Sequence, residues 1–518
     1  MKRNTLTTAV LAGLTGMAGM ISVSNAVNVN PDGLGQVLLY PYYSARGEND
    51  TLISIVNTTE RGKAVKIRFI EAMNSREVLD FNVYMSPFDV WTAAVTADGD
   101  GAKMTTNDTT CTVPYFFGDQ GGEQEFLEFG FAGDGGPQGI ERTASGYIEV
   151  IEMGTMVAQP SGEPGAGDPA IIPWSAKHVQ GEPRNCDRLV GEWTQGAGLA
   201  WLDGGDSTFG FDTELGASGG LFGSATVMNV AEGVMLSYNA TAIDGFWAQG
   251  DMNHTAPDSL LPGLAAGTGE ESFVFNNGVL EAHTWDDSLL AVNATLTYDR
   301  LMNEYVTAAD AGARTEWVLT LPTKRFHTDS GTGVVPNEPI PPFTRTWHMT
   351  DDGLHLACED LSYRFWDREE REPAPEVGPP IVSPPPPADE VPVFQLCKEA
   401  NVVRFSSDGT LPEYTEILKE PMREGNFAQL GYTNFELPYD AGWVRFDLAQ
   451  IPPESAVPNA GERRQSLQSN EGAVVEGLPV IGFQATSYTN GELEGGVLSN
   501  YGGTFNHRGS RSFDMASD

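Results

Sequence analysis

TLISIVNTTERGKAVKIRFIEAMNSREVLDFNVYMSPFDVWTAAVT, Thr51 to Thr96, is the stretch that decides how the rest of the chain is read. Its period is two. Val65, Ile67 and Phe69 alternate with Lys66 and Arg68, and Leu79, Phe81, Val83 and Met85 alternate with Asp80, Asn82, Tyr84 and Ser86. Successive side chains of an extended chain point to opposite faces, so the pattern predicts strands with one apolar and one wet face. Leu52 to Val56 is more evenly apolar, as a central strand would be, and Trp91, Ala93 and Val95 resume the alternation after Pro87. Turn residues at Asn57–Gly62, Asn74-Ser75 and Ser86-Pro87 separate the runs. Strands at spacings of roughly 10–12 residues leave no room for the helical crossovers of a parallel sheet. The expected fold is mainly β, built of antiparallel β-sandwich units of immunoglobulin-like type with long loops and a few short helices.

Outward from this stretch, Gln36–Tyr43 reads as an edge strand, because Pro41 cannot donate to a ladder. Asp98–Gly139 reads as loop, and Gly146–Met153 as a returning strand, so 27–156 is expected to form one sandwich. Residues 157–372 form a second β-rich region with inserted helices. In it, Pro183–Thr194 reads as a short helix carrying Cys186, and Ala225–Tyr238 as a hairpin turning at Ala231-Glu232-Gly233. Trp285–Tyr305 reads as a helix capped by Asp286 or Asp287, and Thr315–Phe326 as a strand broken at Pro322. The proline-dense segment 373–392 is extended; it is either a linker or a loop tied at its base by Cys358 and Cys397, and the tied loop is preferred. Within 393–518, Asn401–Phe405, Trp443–Leu448 and Leu478–Tyr488 read as strands that could complete the second region, and the polar tail from Gly502 is expected to fray.

Residues 1–26 have the form of an export signal: Lys2 and Arg3, an uncharged apolar and small-residue run from Leu6 to Val23, then Ser24-Asn25-Ala26 as a cleavage site. No later stretch is long and apolar enough to span a bilayer as a helix. The chain of 518 residues carries a net charge of −41; without its first 26 residues, 28 basic face 71 acidic residues, or −43. That charge disfavours nucleic acid and anionic lipid as partners, since both need a basic face. It leaves a cell-surface or protein partner open. The expected location is the periplasm, the cell surface or the extracellular space. Cys111, Cys186, Cys358 and Cys397 are an even count in an exported chain and point to disulfides. Of three connectivities the sequential one, Cys111–Cys186 and Cys358–Cys397, is preferred.

The chain carries few motifs with a chemical meaning. Gly216-Ala217-Ser218-Gly219-Gly220 fits G-x-S-x-G, but no buried strand precedes it and no helix follows, so a turn is expected and no catalytic residue is assigned. His348 and His355 flank Asp351 and Asp352 without the spacing of a zinc helix, so a turn is expected there too. Asp98 and Asp100, with Asn107 and Asp108 nearby, and Asp203 and Asp206, with Asp212, are the weak candidates for a Ca²⁺ loop. Neither has the third acid and distal glutamate of an EF-hand. No other cofactor is expected.

LGQVLLYPYY (Leu34–Tyr43), followed by DTLISIVNTTERGKAVKIRFIEAMNSREVLDFNVYMSPFDVW (Asp50–Trp91), resembles an uncharacterised group of secreted or surface proteins of Gram-negative bacteria. The same stretch is similar to immunoglobulin-type sandwiches. The resemblance implies export and a non-enzymatic surface role, and brings no functional residues with it. The leading expectation is an exported, non-catalytic structural or binding protein. The alternatives are a Ca²⁺-dependent adhesin or carbohydrate-binding module, and a hydrolase whose site the sequence does not reveal.

Overall fold

The structure, a computed structural model, describes residues 26–119, 121–194, 200–202, 205–328, 340–346, 348–349, 355–372, 394–407, 412–422, 434–453, 455, 459–493 and 497–515. The chain is mainly β and forms two sandwiches. In the first, one sheet runs, in spatial order, Asn28–Val29, Thr241–Asp244, Val37–Ser44, Ser145–Thr155, Lys63–Glu71, Glu77–Met85 and Cys111–Val113. The facing sheet runs Val234–Asn239, Leu221–Asn229, Asn49–Asn57, Val90–Asp98, Gly101–Thr105 and Glu123–Glu125. Val65, Ile67, Phe69, Phe81 and Val83 of the first sheet pack against Ile53, Ile55, Trp91 and Val95 of the second. The Phe81 and Trp91 rings sit 5.7 Å apart across the interface. Burying each such aromatic contributes about 1.5–3 kcal/mol.

Three expectations change here. Val37–Ser44 is not an edge: it lies between Thr241–Asp244 and Ser145–Thr155. Pro41 is tolerated because the register with Ser145–Thr155 shifts between Gly146 and Ile148, and because Thr241–Ile243 pair only with Leu39–Val37. The missing N–H therefore falls where no ladder bond is due, and the Pro41 carbonyl accepts from Thr320 Oγ1 at 2.6 Å. The sandwich also reaches beyond residue 156, since Leu221–Asp244 supplies strands to both sheets. Asp98–Gly139 is not all loop; it holds the strands Gly101–Thr105, Cys111–Val113 and Glu123–Glu125 and the helical turn Phe116–Asp119, each too short for periodicity to show.

The face expected to be wet is covered. Lys66 and Arg68 are buried beneath the segment that follows Phe246. The Lys66 ammonium donates to Asp80 at 3.0 Å and to the carbonyls of Ala256 at 2.8 Å and Pro257 at 3.1 Å. Arg68 bridges Glu77 and Glu149, and Arg325 reaches the same Glu149 at 2.9 Å. Alternation reports polarity, and polar side chains can be buried once each charge has a partner.

The second sandwich has one sheet in the order Phe394–Leu396, Glu359–Asp367, Ala441–Asp447, Arg300–Val306 and Arg508–Ser510. The other is Asn434–Glu436, Ala400–Ser406, Ala313–Thr320, Ile481–Leu493 and Val497–Asn506. Only the pairing of Ala400–Ser406 with Asn434–Glu436 is parallel among these. Trp317 anchors the core against Phe405 and Phe446, with ring centres 4.8 and 5.4 Å away. Trp285–Tyr305 is helical only over Ser288–Leu296, where Asp287 caps it by accepting from the Leu290 amide at 2.9 Å. Beyond it the β-branched Thr297 turns extended, and Arg300–Val306 pairs with Ala441–Asp447. The tail does not fray as expected: Ser512–Met515 pairs with Ala473–Glu476. The helix Cys186–Glu192 and the hairpin of Leu221–Asn229 with Val234–Asn239 form where the pattern placed them.

The sandwiches pack on each other. Tyr238 of the first stacks on Phe483 of the second at 4.6 Å. Disulfides join Cys111 to Cys186 and Cys358 to Cys397, the sequential pairing. The second closes the loop containing 373–392, a segment outside the described residues, as is 1–25. Among the described residues no helix is long and apolar enough to cross a membrane.

Candidate functional site

A cleft of about 1000 Å³ opens where the two sandwiches meet. One wall is the turn Arg46–Asn49 with the ends of Leu221–Asn229 and Val234–Asn239; the other is Arg314, Ser487, Thr489 and Asn500. The loop Glu413–Lys419 closes one side.

Buried carboxylates hold that loop. Glu316, on the strand Ala313–Thr320 of the second sandwich and on the face it shares with Val318, accepts from the amides of Ile417 at 2.7 Å and Leu418 at 2.9 Å. Burial pushes the Glu316 carboxyl up to about 7 against the pull of those two amides. Glu420 accepts from the Tyr42 hydroxyl at 2.9 Å and lies 3.4 Å from Lys398 and 3.6 Å from Arg46. Burial raises its pKa, but these two cations outweigh burial and hold it below the usual carboxylate range. From the first sandwich, Ser44 Oγ donates to the Leu418 carbonyl at 3.1 Å and Asn49 Nδ2 to the Ile417 carbonyl at 3.3 Å. The loop is thus bonded to both sandwiches. Lys419 spans the mouth in an ion pair with Glu232.

The cleft lining is mixed: Arg46, Arg314 and Lys419 as cationic donors, Glu48, Asp100 and Glu413 as acceptors and Asn229 and Asn500 as amides stand among the aliphatic Val227, Val234, Leu236 and Ile417. Tyr414 adds a ring that is 48% exposed. Glu48 sits in the left-handed region at φ 67°. Such a lining can orient a polar, hydroxyl-rich ligand by several hydrogen bonds, with one ring for an apolar face.

The residues singled out in the sequence are scattered. Asp98 and Asp100 flank the tight turn joining Val90–Asp98 to Gly101–Thr105; both are exposed, and only Asp100 reaches the cleft. Asp108 is occupied by the Thr92 amide at 2.9 Å and the Thr110 amide at 2.9 Å. Asp206 accepts from the amide and hydroxyl of Thr208 in its own turn, and Asp203 lies outside the described residues. Among the described residues no group of three or more His, Cys, Asp or Glu side chains could hold a metal ion. His348–Met349 and His355–Leu356 form a small ladder, while Asp351 and Asp352 lie outside the described residues.

Ser218 lies in the irregular segment between the turn at residues 213–215 and the strand Leu221–Asn229. Its hydroxyl accepts from Lys63 Nζ at 2.6 Å and bonds Thr155 Oγ1 at 3.0 Å. The Glu152 carboxylate takes the Ser218 amide at 3.0 Å and the Gly219 amide at 2.7 Å. Lys63 is itself paired to Glu152 at 2.7 Å, so these groups fasten the loop that leads into Leu221–Asn229.

Sequence reading missed one cluster on the second sandwich: Trp366 stacked on Trp443, with arginines beside them. Its trace is the alternation in WVRFDL, which sets Trp443, Arg445 and Asp447 on one face. No family model, curated protein or solved structure matches the chain.

Proposed function

We propose that the chain is an exported, non-catalytic structural or binding protein of the bacterial periplasm or cell surface, and that its cleft takes a polar ligand. One observation carries this: a loop fixed to both sandwiches by buried carboxylates, bordering a cleft of about 1000 Å³ with a hydrogen-bonding lining. A binding site is made selective by holding its polar groups rigidly, and Glu316 and Glu420 do that here. Two disulfides support an oxidising compartment, and the form of residues 1–26 supports export. The N-terminal resemblance to secreted and surface proteins supports the same reading.

A carbohydrate-binding module is the second reading, favoured by Tyr414 beside Arg314 and Asn500.

The test has two parts. Cell fractionation with thiol labelling should find the protein outside the cytoplasm with its four cysteines oxidised; free thiols in the cytoplasm overturn the reading. Thermal shift with envelope-derived oligosaccharides, with and without Ca²⁺, should show stabilisation that Arg314→Ala with Tyr414→Ala removes. Binding raises stability by about 2.7 kcal/mol at a hundredfold excess over Kd. Stabilisation that survives both substitutions places the ligand elsewhere and overturns the cleft assignment.

A further inference from the structure

On the outer face of the second sandwich, strand register builds a row of arginines. Arg364 is paired with Arg445, Arg445 with Met302, and Met302 with Arg508. The next row is Trp366, Trp443 and Glu304; the row on the other side is Ser362, Asp447, Arg300 and Ser510. Paired residues on neighbouring strands share a face. The residues between them, including Leu301, Phe365, Val444 and Phe446, pack into the sandwich, so the three rows face outward.

The arrangement costs the unliganded sheet. Like charges directly opposite each other are destabilising. Arg445 feels this: burial first, then Arg300, and also Arg364, lower its pKa against the pull of Asp447 and Glu372. Its Nε is shut off from solvent and has no hydrogen-bond partner among the described residues. Compensation is partial. Glu372 binds Arg364 through two contacts of 2.9 and 2.8 Å and takes the Trp366 Nε1 proton at 2.7 Å. Asp447 stands 4.0 Å from Arg300. Four arginines stand with Asp447, Glu304 and the adjoining Glu372 and Asp299, the last accepting from Ser510 at 2.6 Å, so the face is locally balanced on a chain of net charge −41. Next to them the two indoles stack with centres 4.1 Å apart and planes at 14°.

We propose that this face binds a short acidic oligosaccharide, a chain of sugars carrying carboxylate or sulfate groups. Guanidinium forks match planar carboxylate and sulfate oxygens in pairs. Exposed indole offers the apolar surface on which the C–H face of a sugar ring rests. Four strands at about 4.8 Å spacing give a row about 14 Å long, enough for a few sugar residues. Extended polyanions fit less well. Surface charges are screened over about 8 Å at physiological ionic strength, so a duplex or a bilayer would leave the row and meet the acidic remainder of the chain. This site is separate from the cleft and does not depend on it.

Calorimetry on the purified, disulfide-bonded protein with a trigalacturonate probe tests the proposal. Binding should weaken as salt rises, should fall at least tenfold in Arg445→Gln and in Arg508→Gln, and should be unaffected by Arg314→Ala in the cleft. Arg445→Gln removes a like-charge pair, so its Tm should hold or rise; Arg508→Gln, on an exposed position, gives an independent reading if it does not. Maltotriose should not bind. Four results overturn the proposal: no trigalacturonate binding, binding indifferent to both substitutions, equal binding of maltotriose, or tighter binding of a single-stranded oligonucleotide or phosphatidylserine vesicles through the same arginines.

Discussion

Lys63 and Glu152 form an ion pair of 2.7 Å with both side chains fully withdrawn from water. The pair survives burial because its spare valences are used: Glu152 takes two loop amides, and the Lys63 ammonium reaches Ser218 and Thr155. Removing one partner leaves an unpaired buried charge, which costs about 3–5 kcal/mol. Glu152→Ala should therefore lower the urea midpoint strongly. Ser218→Ala, at an exposed position, should cost only about 1 kcal/mol. Equal, small losses in both variants would show that the pair is not the fastener of this loop.

Three buried carboxyls should pull stability down as pH rises from about 4.5 to about 7, against three buried imidazoles that push it up: burial holds His254, His327 and His507 down to about 3, about 4 and about 4. Burial raises the carboxyls of Glu316, Glu399 and Asp80, each to about 7. Glu399 is the clearest case: among the described residues neither oxygen has a hydrogen bond of ordinary geometry, and Lys324 stands 3.9 Å away. A folded state that keeps a proton the unfolded chain has released loses stability over the interval between the two pKa values. Asp134 and Glu420 act in the opposite sense: each is buried, yet Arg142 holds the first, and Lys398 with Arg46 the second, below the usual range. Their contribution is lost as pH falls below that range. The raised carboxyls and the lowered imidazoles oppose each other, so the test is a difference: the urea midpoint of Glu399→Gln should gain on that of the unaltered protein as pH rises from about 4.5 to about 7. A gap between the two midpoints that does not change with pH contradicts this.

Each disulfide should be separately stabilising. Closing loops across sequence separations of 75 and 39 residues corresponds on the chain-entropy model to about 4.5 and about 4 kcal/mol. Cys111→Ser with Cys186→Ser, and Cys358→Ser with Cys397→Ser, should each lower Tm, as should reduction of the unaltered protein. Non-reducing peptide mapping should recover the two sequential pairs and no others.

The strands from Thr51 to Thr96 were legible because each carries its own alternation: Val65, Ile67 and Phe69 needed no partner to be read. Lateral order was not legible. Leu221–Asn229 pairs with Asn49–Asn57 in a register set by side-chain fit across more than a hundred intervening residues, and nothing local marks it. The same gap explains Pro41, whose missing donor matters only if a neighbour is in register with it. It also explains Lys66 and Arg68, whose cover arrives from residues after Phe246. The arginine row is the functional case. WVRFDL shows Trp443 and Arg445 on one face, but Arg364, Trp366 and Arg508 come from strands distant in sequence.

The cleft loop offers the sharpest mechanical test. Glu316 holds the amides of Ile417 and Leu418 from the second sandwich, and such hydrogen bonds are worth about 0.5–1.5 kcal/mol each to the neutral carboxyl and about 1.5–3 kcal/mol to the ionised one. Glu316→Ala deletes both and leaves two amides facing a small void. Hydrogen exchange at Ile417 and Leu418 should speed up by at least tenfold, while Val318 and Leu319, further along the strand that carries Glu316 and paired with Val402 and Asn401, should stay protected. Glu316→Gln keeps one acceptor oxygen and should restore part of the protection at pH 7. Uniform loss of protection across Ala313–Thr320 as well would mean that Glu316 supports the whole sheet, and that the loop has no separate anchor.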